Sequence, residues 1–290
     1  MPILGMIASS MKGEFWTASA ITAGDFYGVG NNGSMFLAVG TGTVSSRSSN
    51  SGTTWTSGTL PFSGSWSDAN WNGSLWLALA YANNQCATST DGITWTTRTM
   101  PNTRYFARSA WNGSLFVTVG AGPQNVGATS PTGTTWTERT LPSTQNWRGV
   151  VWNGSIFLAN SYSGSNAAAT SSDGITWTAR TMPSSGDWYL NAWNGSIFCV
   201  VMGASTTAST STDGITWTNR TLPSSQTWYA LVWNGSIFVT VGVGSNASAY
   251  SSDGITWTAK TLPSSSAWQG LAAQGSTVIA VGASTAAVRI

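Results

Sequence analysis

Apolar and polar residues alternate along this chain in short bursts, and the bursts recur about every 40 residues. In the unit Trp188 to Thr227, Trp188-Tyr189-Leu190-Asn191-Ala192-Trp193 reads as a short strand. The Asn194-Gly195 pair after it is a type I′ hairpin signal, in which both central residues take positive φ. Ser196 to Val201 is an apolar run between turn signals, as expected of a buried strand. Gly203-Ala204 turns the chain, and Ala208-Ser209-Thr210-Ser211 supplies a third strand of small residues. Asp213-Gly214 makes a second hairpin, and Ile215 to Thr221 alternates apolar with polar positions, which predicts a fourth strand. Leu222-Pro223-Ser224-Ser225 crosses to the next unit, with the proline expected to end the sheet.

The most faithfully repeated stretch is Ser172-Asp173-Gly174-Ile175-Thr176-Trp177-Thr178. Its tryptophans are Trp16, Trp55, Trp95, Trp136, Trp177, Trp217 and Trp257, at spacings of 39, 40, 41, 41, 40 and 40 residues. Four antiparallel strands in such a period make a propeller blade. The last unit, from Trp268, stops before its fourth strand, and Gly13 to Ser19 supplies a lone copy of one. The sequence therefore predicts an all-β fold: a single seven-bladed β-propeller of four-stranded antiparallel blades, closed by N- and C-terminal strands that share one blade. Closure removes the exposed sheet edges. The blades are expected at about 24–60, 64–100, 104–141, 145–182, 186–222, 226–262, and 266–290 with 1–20, in one domain spanning 1–290. For the third strand of the shared blade, Ile7 to Ser10 competes with Ala286 to Ile290.

Composition narrows the chemistry. Charged residues make up 7% of the chain and the formal net charge is +2. The surface is then one of Ser, Thr, Asn and Gly, with no field that would draw in nucleic acid. The chain has no histidine, which removes the commonest general base and a principal zinc ligand. Cys86 and Cys199 occupy different places in non-adjacent repeats and read as buried apolar residues rather than a disulfide. Met1 to Met11 lacks the basic region of a signal peptide, and no apolar run reaches the ~20 residues of a membrane span. No cofactor and no metal site is expected.

The repeated Ser-x-Asp-Gly-x-Thr-Trp resembles the Asp-box of BNR or sialidase-type β-propellers. The copy from Ser48 to Trp55 keeps that family's spacing with Asn50 in place of Asp, whereas Asp91, Asp173, Asp213 and Asp253 stand one residue closer to the tryptophan. The resemblance implies a structural hairpin, one shared by enzymes, lectins and extracellular binding proteins. The run Trp-Asn-Gly-Ser-Ile-Phe-Val also looks like uncharacterised repeat proteins of bacteria and their phages, some of them parts of tail fibres.

Three sets of residues are candidates for chemistry. One aromatic opens each first strand: Phe26, Trp66, Phe106, Trp147, Trp188, Trp228 and Trp268. These either pack between blades or offer stacking platforms to sugar rings, with neighbouring Ser, Asn and Gln for the hydroxyls. Trp71, Trp111, Trp152, Trp193 and Trp233, before the Asn-Gly turns, read as core. Arg98, Arg139, Arg180, Arg220 and Lys260 form a basic stripe on the fourth strands, either protecting the sheet edge or docking on an anionic surface. The six Asn-Gly-Ser sites are explained by turn chemistry rather than glycosylation. Glycoside cleavage needs paired carboxylates, and the only glutamates are Glu14 and Glu138. No catalytic residue is expected.

The expected function is non-enzymatic binding: a phage virion or tail-associated propeller that recognises host surface glycan. The rival readings are a structural virion component such as a capsid decoration, or a bacterial lectin. The expected partners are surface glycan or other virion proteins, with possible oligomerisation within a particle, and the expected location is the virion or the extracellular space.

Overall fold

A computed structural model describes residues 15–81 and 83–289. Among these residues every regular element is a β-strand. Blade one is Phe26–Asn31, Phe36–Ser48 and the start of Thr56–Trp71; blade two is the rest of that strand, Trp76–Tyr81, Asn83–Ser89 and the start of Thr96–Trp111. Blade three continues through Phe116–Ala121 and Gln124–Ser130 into Thr137–Trp152, and blade four through Phe157–Tyr162 and Ser165–Ser171 to Thr178–Gly186. Blade five is Trp188–Trp193, Phe198–Met202, Ser205–Ser211 and Thr218–Gln226; blade six is Trp228–Trp233, Phe238–Ser251 and Thr258–Ala267. Blade seven is Gly270–Gln274, Thr277–Gly282 and Thr285–Arg289, with Thr17–Ser19 from the other end of the chain as its outermost strand.

That last pairing closes the ring, with Thr17 opposite Val288, Ala18 opposite Ala287 and Ser19 opposite Ala286. The third strand of the shared blade thus comes from the C-terminal end; Ile7 to Ser10 lies outside the described residues. Phe15 reinforces the closure. It stacks on Tyr250 of blade six with ring centroids 5.0 Å apart, and the cations of Lys260 (5.6 Å) and Arg289 (4.7 Å) also lie over its ring. Trp16 donates its indole N–H to the Ser248 hydroxyl at 2.9 Å.

Two local expectations change. The crossover prolines do not end the strands: Thr56–Trp71, Thr96–Trp111 and Thr137–Trp152 run extended from the rim of one blade to the axis of the next. What lapses is the pairing, since the ladder to the third strand skips from Thr140 to Gln145 across Pro142. An edge strand tolerates a residue without an N–H, and extended backbone suits its fixed φ. The Asn-Gly turns are not type I′ either. Only the glycine has positive φ, as at Gly195 (96°), and the Asn194 carboxamide accepts the N–H groups of Ser196 and Ile197 at 2.9 and 2.8 Å. The asparagine serves as a side-chain acceptor, so it has no need of left-handed backbone.

Apolar clusters lie between blades rather than inside them. Cys199, Val201 and Leu222 of blade five pack with Trp228, Leu231 and Phe238 of blade six, and the other clusters repeat this arrangement around the ring. Each blade buries its faces on its neighbours, so the ring is stable only as a whole. Cys86 and Cys199 are free and fully buried, and burial pushes the Cys86 thiol up to about 12.

Candidate functional site

The repeated Asp-Gly hairpins are structural. In each of four blades the aspartate accepts two backbone N–H groups and a serine hydroxyl; for Asp91 these come from Ile93, Thr94 and Ser89, all at 2.8 Å. The serine oxygen accepts the glycine N–H at 2.8 Å. Backbone N–H donors hold the Asp91 carboxyl down at about 2, and those of Asp173, Asp213 and Asp253 are lowered for the same reason. Asn50 fills this role in blade one, accepting from Thr54 N–H at 3.0 Å and Ser48 Oγ at 2.9 Å. The longer spacing there is absorbed by Ser51, whose φ of 58° precedes Gly52.

A pH dependence follows with a definite sign. A carboxylate whose folded pKa is depressed contributes stability above its unfolded value of about 4, and that contribution is lost as pH falls towards the folded value. Replacing Asp91, Asp173, Asp213 and Asp253 together by asparagine should leave stability at pH 7 within about 1–2 kcal/mol of wild type, because Asn50 shows the amide fits. It should also flatten the loss of stability between about pH 4 and pH 2. Urea midpoints at neutral and acid pH check this; parallel acid losses in both proteins would refute it.

The seven aromatics that open the first strands are not sugar platforms. Phe26, Trp66, Phe106, Trp147, Trp188, Trp228 and Trp268 are 0–1% exposed. Each sits in a cluster that joins adjacent blades, and five of the indoles donate inward to backbone carbonyls, as Trp188 does to Ser184 at 3.0 Å. No ring face is left for a ligand. Trp71, Trp111, Trp152, Trp193 and Trp233 are half-buried, each tilted against the second-strand aromatic of its own blade with centroids 4.5–5.3 Å apart. The repeated hairpin tryptophans, Trp16 to Trp257, are buried or half-buried, and four of them donate to the hairpin glycine carbonyl at 3.1–3.2 Å.

The basic stripe lies along the outer strands. Arg98, Arg139, Arg180 and Arg220 each donate from Nε to a threonine hydroxyl on the adjacent third strand at 2.9–3.0 Å, and Lys260 lies over aromatic rings. Glu138 is on the same outer edge; Glu14 falls outside the described residues. No group of three or more metal-ligating side chains occurs among the described residues.

The structure instead brings together the residue that follows each buried aromatic. A bulge follows the aromatic in six blades, the pairing skipping for example from Trp66 to Asp68, from Phe106 to Arg108 and from Trp228 to Ala230, and the successor is re-aimed towards the axis: Tyr27, Ser67, Ala107, Arg148, Tyr189, Tyr229 and Gln269, one per blade. Most of them line a cavity of about 290 Å3, joined by Ser65 and Tyr81. What the repeats share does not mark this site. Its signal is the reverse, since these positions differ from repeat to repeat.

The floor of the cavity is Arg108. Its guanidinium stands 3.8 Å from Asp68 and reaches across the axis to the carbonyls of Tyr27 (3.3 Å) and Gln269 (3.5 Å). Burial raises the Asp68 carboxyl, opposed by Arg108 and by Ser109, whose N–H and hydroxyl donate at 2.8 and 2.6 Å. Burial lowers Arg108, yet a guanidinium remains charged. On the wall, Arg148 lies against a tyrosine ladder, 5.9 Å from the ring centroids of Tyr162 and Tyr189 and 5.2 Å from that of Tyr229, and donates to the Tyr229 hydroxyl. The three rings lean on one another with centroids 4.7–4.9 Å apart. Burial raises the phenols of Tyr27, Tyr81 and Tyr189, so they stay protonated at neutral pH and can donate. The result is a cup lined by Tyr27, Tyr81, Tyr229 and Arg148 together with the smaller Ser67 and Ala107.

No protein-family model matches the chain, and no curated protein matches it significantly. Solved structures do. Virginiamycin B lyase from Staphylococcus aureus superposes with a TM-score of 0.82 at 13% identity, covering 95% of this chain and 98% of that one. A histidine-to-alanine form of that lyase, described as catalytically inactive and bound to quinupristin, gives 0.81 at 13% identity, with 95% and 99% covered. YCF48 bound to D1 peptide gives 0.77 at 14% identity, with 97% and 96% covered. The expectation that the chain is not an enzyme is corrected by the first two, since an enzyme has this fold. At these identities the likeness shows the fold: the chain is a β-propeller.

Proposed function

We propose that this propeller is a recognition module that binds a host-surface saccharide at the axial cup, and that it does so as a component of a phage virion. One observation carries the reading. The groups that join the blades repeat around the ring, whereas the axial positions, freed from that duty, hold tyrosines, an arginine, a glutamine and a serine around a cavity. Aromatic faces suit the C–H patches of a pyranose, and phenol, amide and hydroxyl groups suit its oxygens. A volume of about 290 Å3 fits one small group rather than a long chain. The neutral surface and the Trp-Asn-Gly-Ser-Ile-Phe-Val run, which looks like repeat proteins of bacteria and their phages, support the virion placement.

A second reading, peptide recognition, is favoured by the YCF48 structure with its bound peptide. Streptogramin cleavage is no part of the proposal, because the chain has no histidine to match the one whose replacement inactivates the staphylococcal lyase.

A glycan and whole-cell binding screen tests the first reading. Wild type should bind, and Tyr229→Ala, if it melts as wild type does, should bind at least ~10-fold more weakly, a loss of about 1.4 kcal/mol. Binding unchanged in the folded variant would move the site off the axis, and binding to peptides alone would select the second reading. Mass spectrometry of purified particles tests the virion placement.

A further inference from the structure

The cup contains two guanidinium groups of different status. Arg108 is engaged by Asp68 and by two carbonyls on the far side of the axis. Asp68 in turn is saturated by Arg108 and Ser109. Arg148 is half-buried on the wall, and among the described residues its contacts are three aromatic rings and one phenol oxygen rather than a carboxylate. A guanidinium carries five N–H donors in a planar fork, and the interaction with Tyr229 accounts for only part of that fork. The carboxylates that act on the neighbouring tyrosines are Asp25 on Tyr27 and Asp187 on Tyr189. Asp187 is itself bound, accepting the Gly164 N–H at 2.8 Å. The positive charge on the cavity wall is therefore Arg148, held in orientation by stacked rings and surrounded by protonated phenols.

Resting on the saccharide reading, we infer that Arg148 anchors the carboxylate of an acidic sugar, so that the axial cup selects uronic or sialic acids over neutral hexoses. A carboxylate matches the planar fork in a two-point pairing. Its single negative charge balances the single charge of Arg148, whereas a dianion would leave charge unpaired in a partly desolvated site. The phenols of Tyr27, Tyr81 and Tyr229 surround the same space and supply further O–H groups to the ligand. The tyrosine ladder fixes the guanidinium before binding, which lowers the ordering cost of the complex.

The experiment is a ligand-observed NMR titration of the full chain with D-glucuronate, D-galacturonate and N-acetylneuraminate, each paired with its neutral methyl ester. The expected result is that at least one acid binds about tenfold or more tightly than its ester, as fits a charge-assisted pair. Arg148→Gln should abolish the preference, and Arg148→Lys should restore part of it. Melting curves establish that the variants are folded. If acid and ester bind equally to wild type, or if Arg148→Gln keeps the preference, the carboxylate anchor is wrong and the saccharide reading stands. If neither acids nor esters bind, both fall.

Discussion

Trp228→Ala is expected to cost about 3–5 kcal/mol of stability, the range for deleting a large buried aromatic. The indole is fully buried between blades five and six, among Ala192, Cys199, Val201 and Leu222 on one side and Leu231 and Phe238 on the other. Its N–H donates to the Ser224 carbonyl at 3.0 Å, so truncation also removes the partner of a crossover carbonyl. Because blades are stable only against their neighbours, the loss should appear in cooperative unfolding of the whole ring rather than as local fraying. Trp228→Phe should cost less, since Phe26 and Phe106 fill the equivalent place in two blades. Denaturant unfolding at equilibrium measures both. A Trp228→Ala protein with wild-type stability would mean that the ring is not a wedge between blades, and would reopen it as a surface for ligands.

The same residue explains what the sequence discloses and what it hides. The period of 39–41 residues, the glycine hairpins and the split last unit are enough to give seven blades and their closure, because each reports a backbone requirement met many times over. Trp228 and Tyr229 are adjacent; Trp228 packs against the neighbouring blade, while the bulge between Trp228 and Ala230 leaves Tyr229 unpaired and on the axial cavity. Hydrophobicity does not decide between them, since both are large aromatics. What decides is the packing geometry, which is the same at every blade interface and so demands the same kind of side chain each time. Tyr229 belongs to a set that runs Tyr27, Ser67, Ala107, Arg148, Tyr189, Tyr229, Gln269, a variety that no repeated interface would require. Arg108 was hidden for another reason. Its partners Asp68, Tyr27 and Gln269 are 40 to 161 residues away, and only ring closure brings them to one axis.

Closure is also where the ring should respond most to a covalent link. Ala18 and Ala287 lie directly opposite on antiparallel strands from the two ends of the chain. Such pairs stand ~4.5–5.5 Å apart at Cα, within the range a disulfide spans. Replacing both, Ala18→Cys with Ala287→Cys, should therefore form a bond that encloses nearly the whole chain. In the chain-entropy account the gain rises with the length of loop closed and comes to about 5–6 kcal/mol here. Native Cys86 and Cys199 are buried and will not compete for the new thiols. The oxidised protein should unfold at markedly higher denaturant than wild type, and a reductant should return it to near the wild-type midpoint. The comparison between the two redox states isolates the link from the effect of the substitutions themselves. The gain also measures what the native closure lacks. Thr17–Ser19 contributes only three paired residues, helped by the Phe15–Tyr250 stack and the Trp16 hydrogen bond. If that strand opens before the blades separate, the bond removes the first step of unfolding and slows it. If the double variant forms its bond without any gain, the ring must unfold by parting elsewhere between blades, and the terminal strand would be a seal on a circle that already holds.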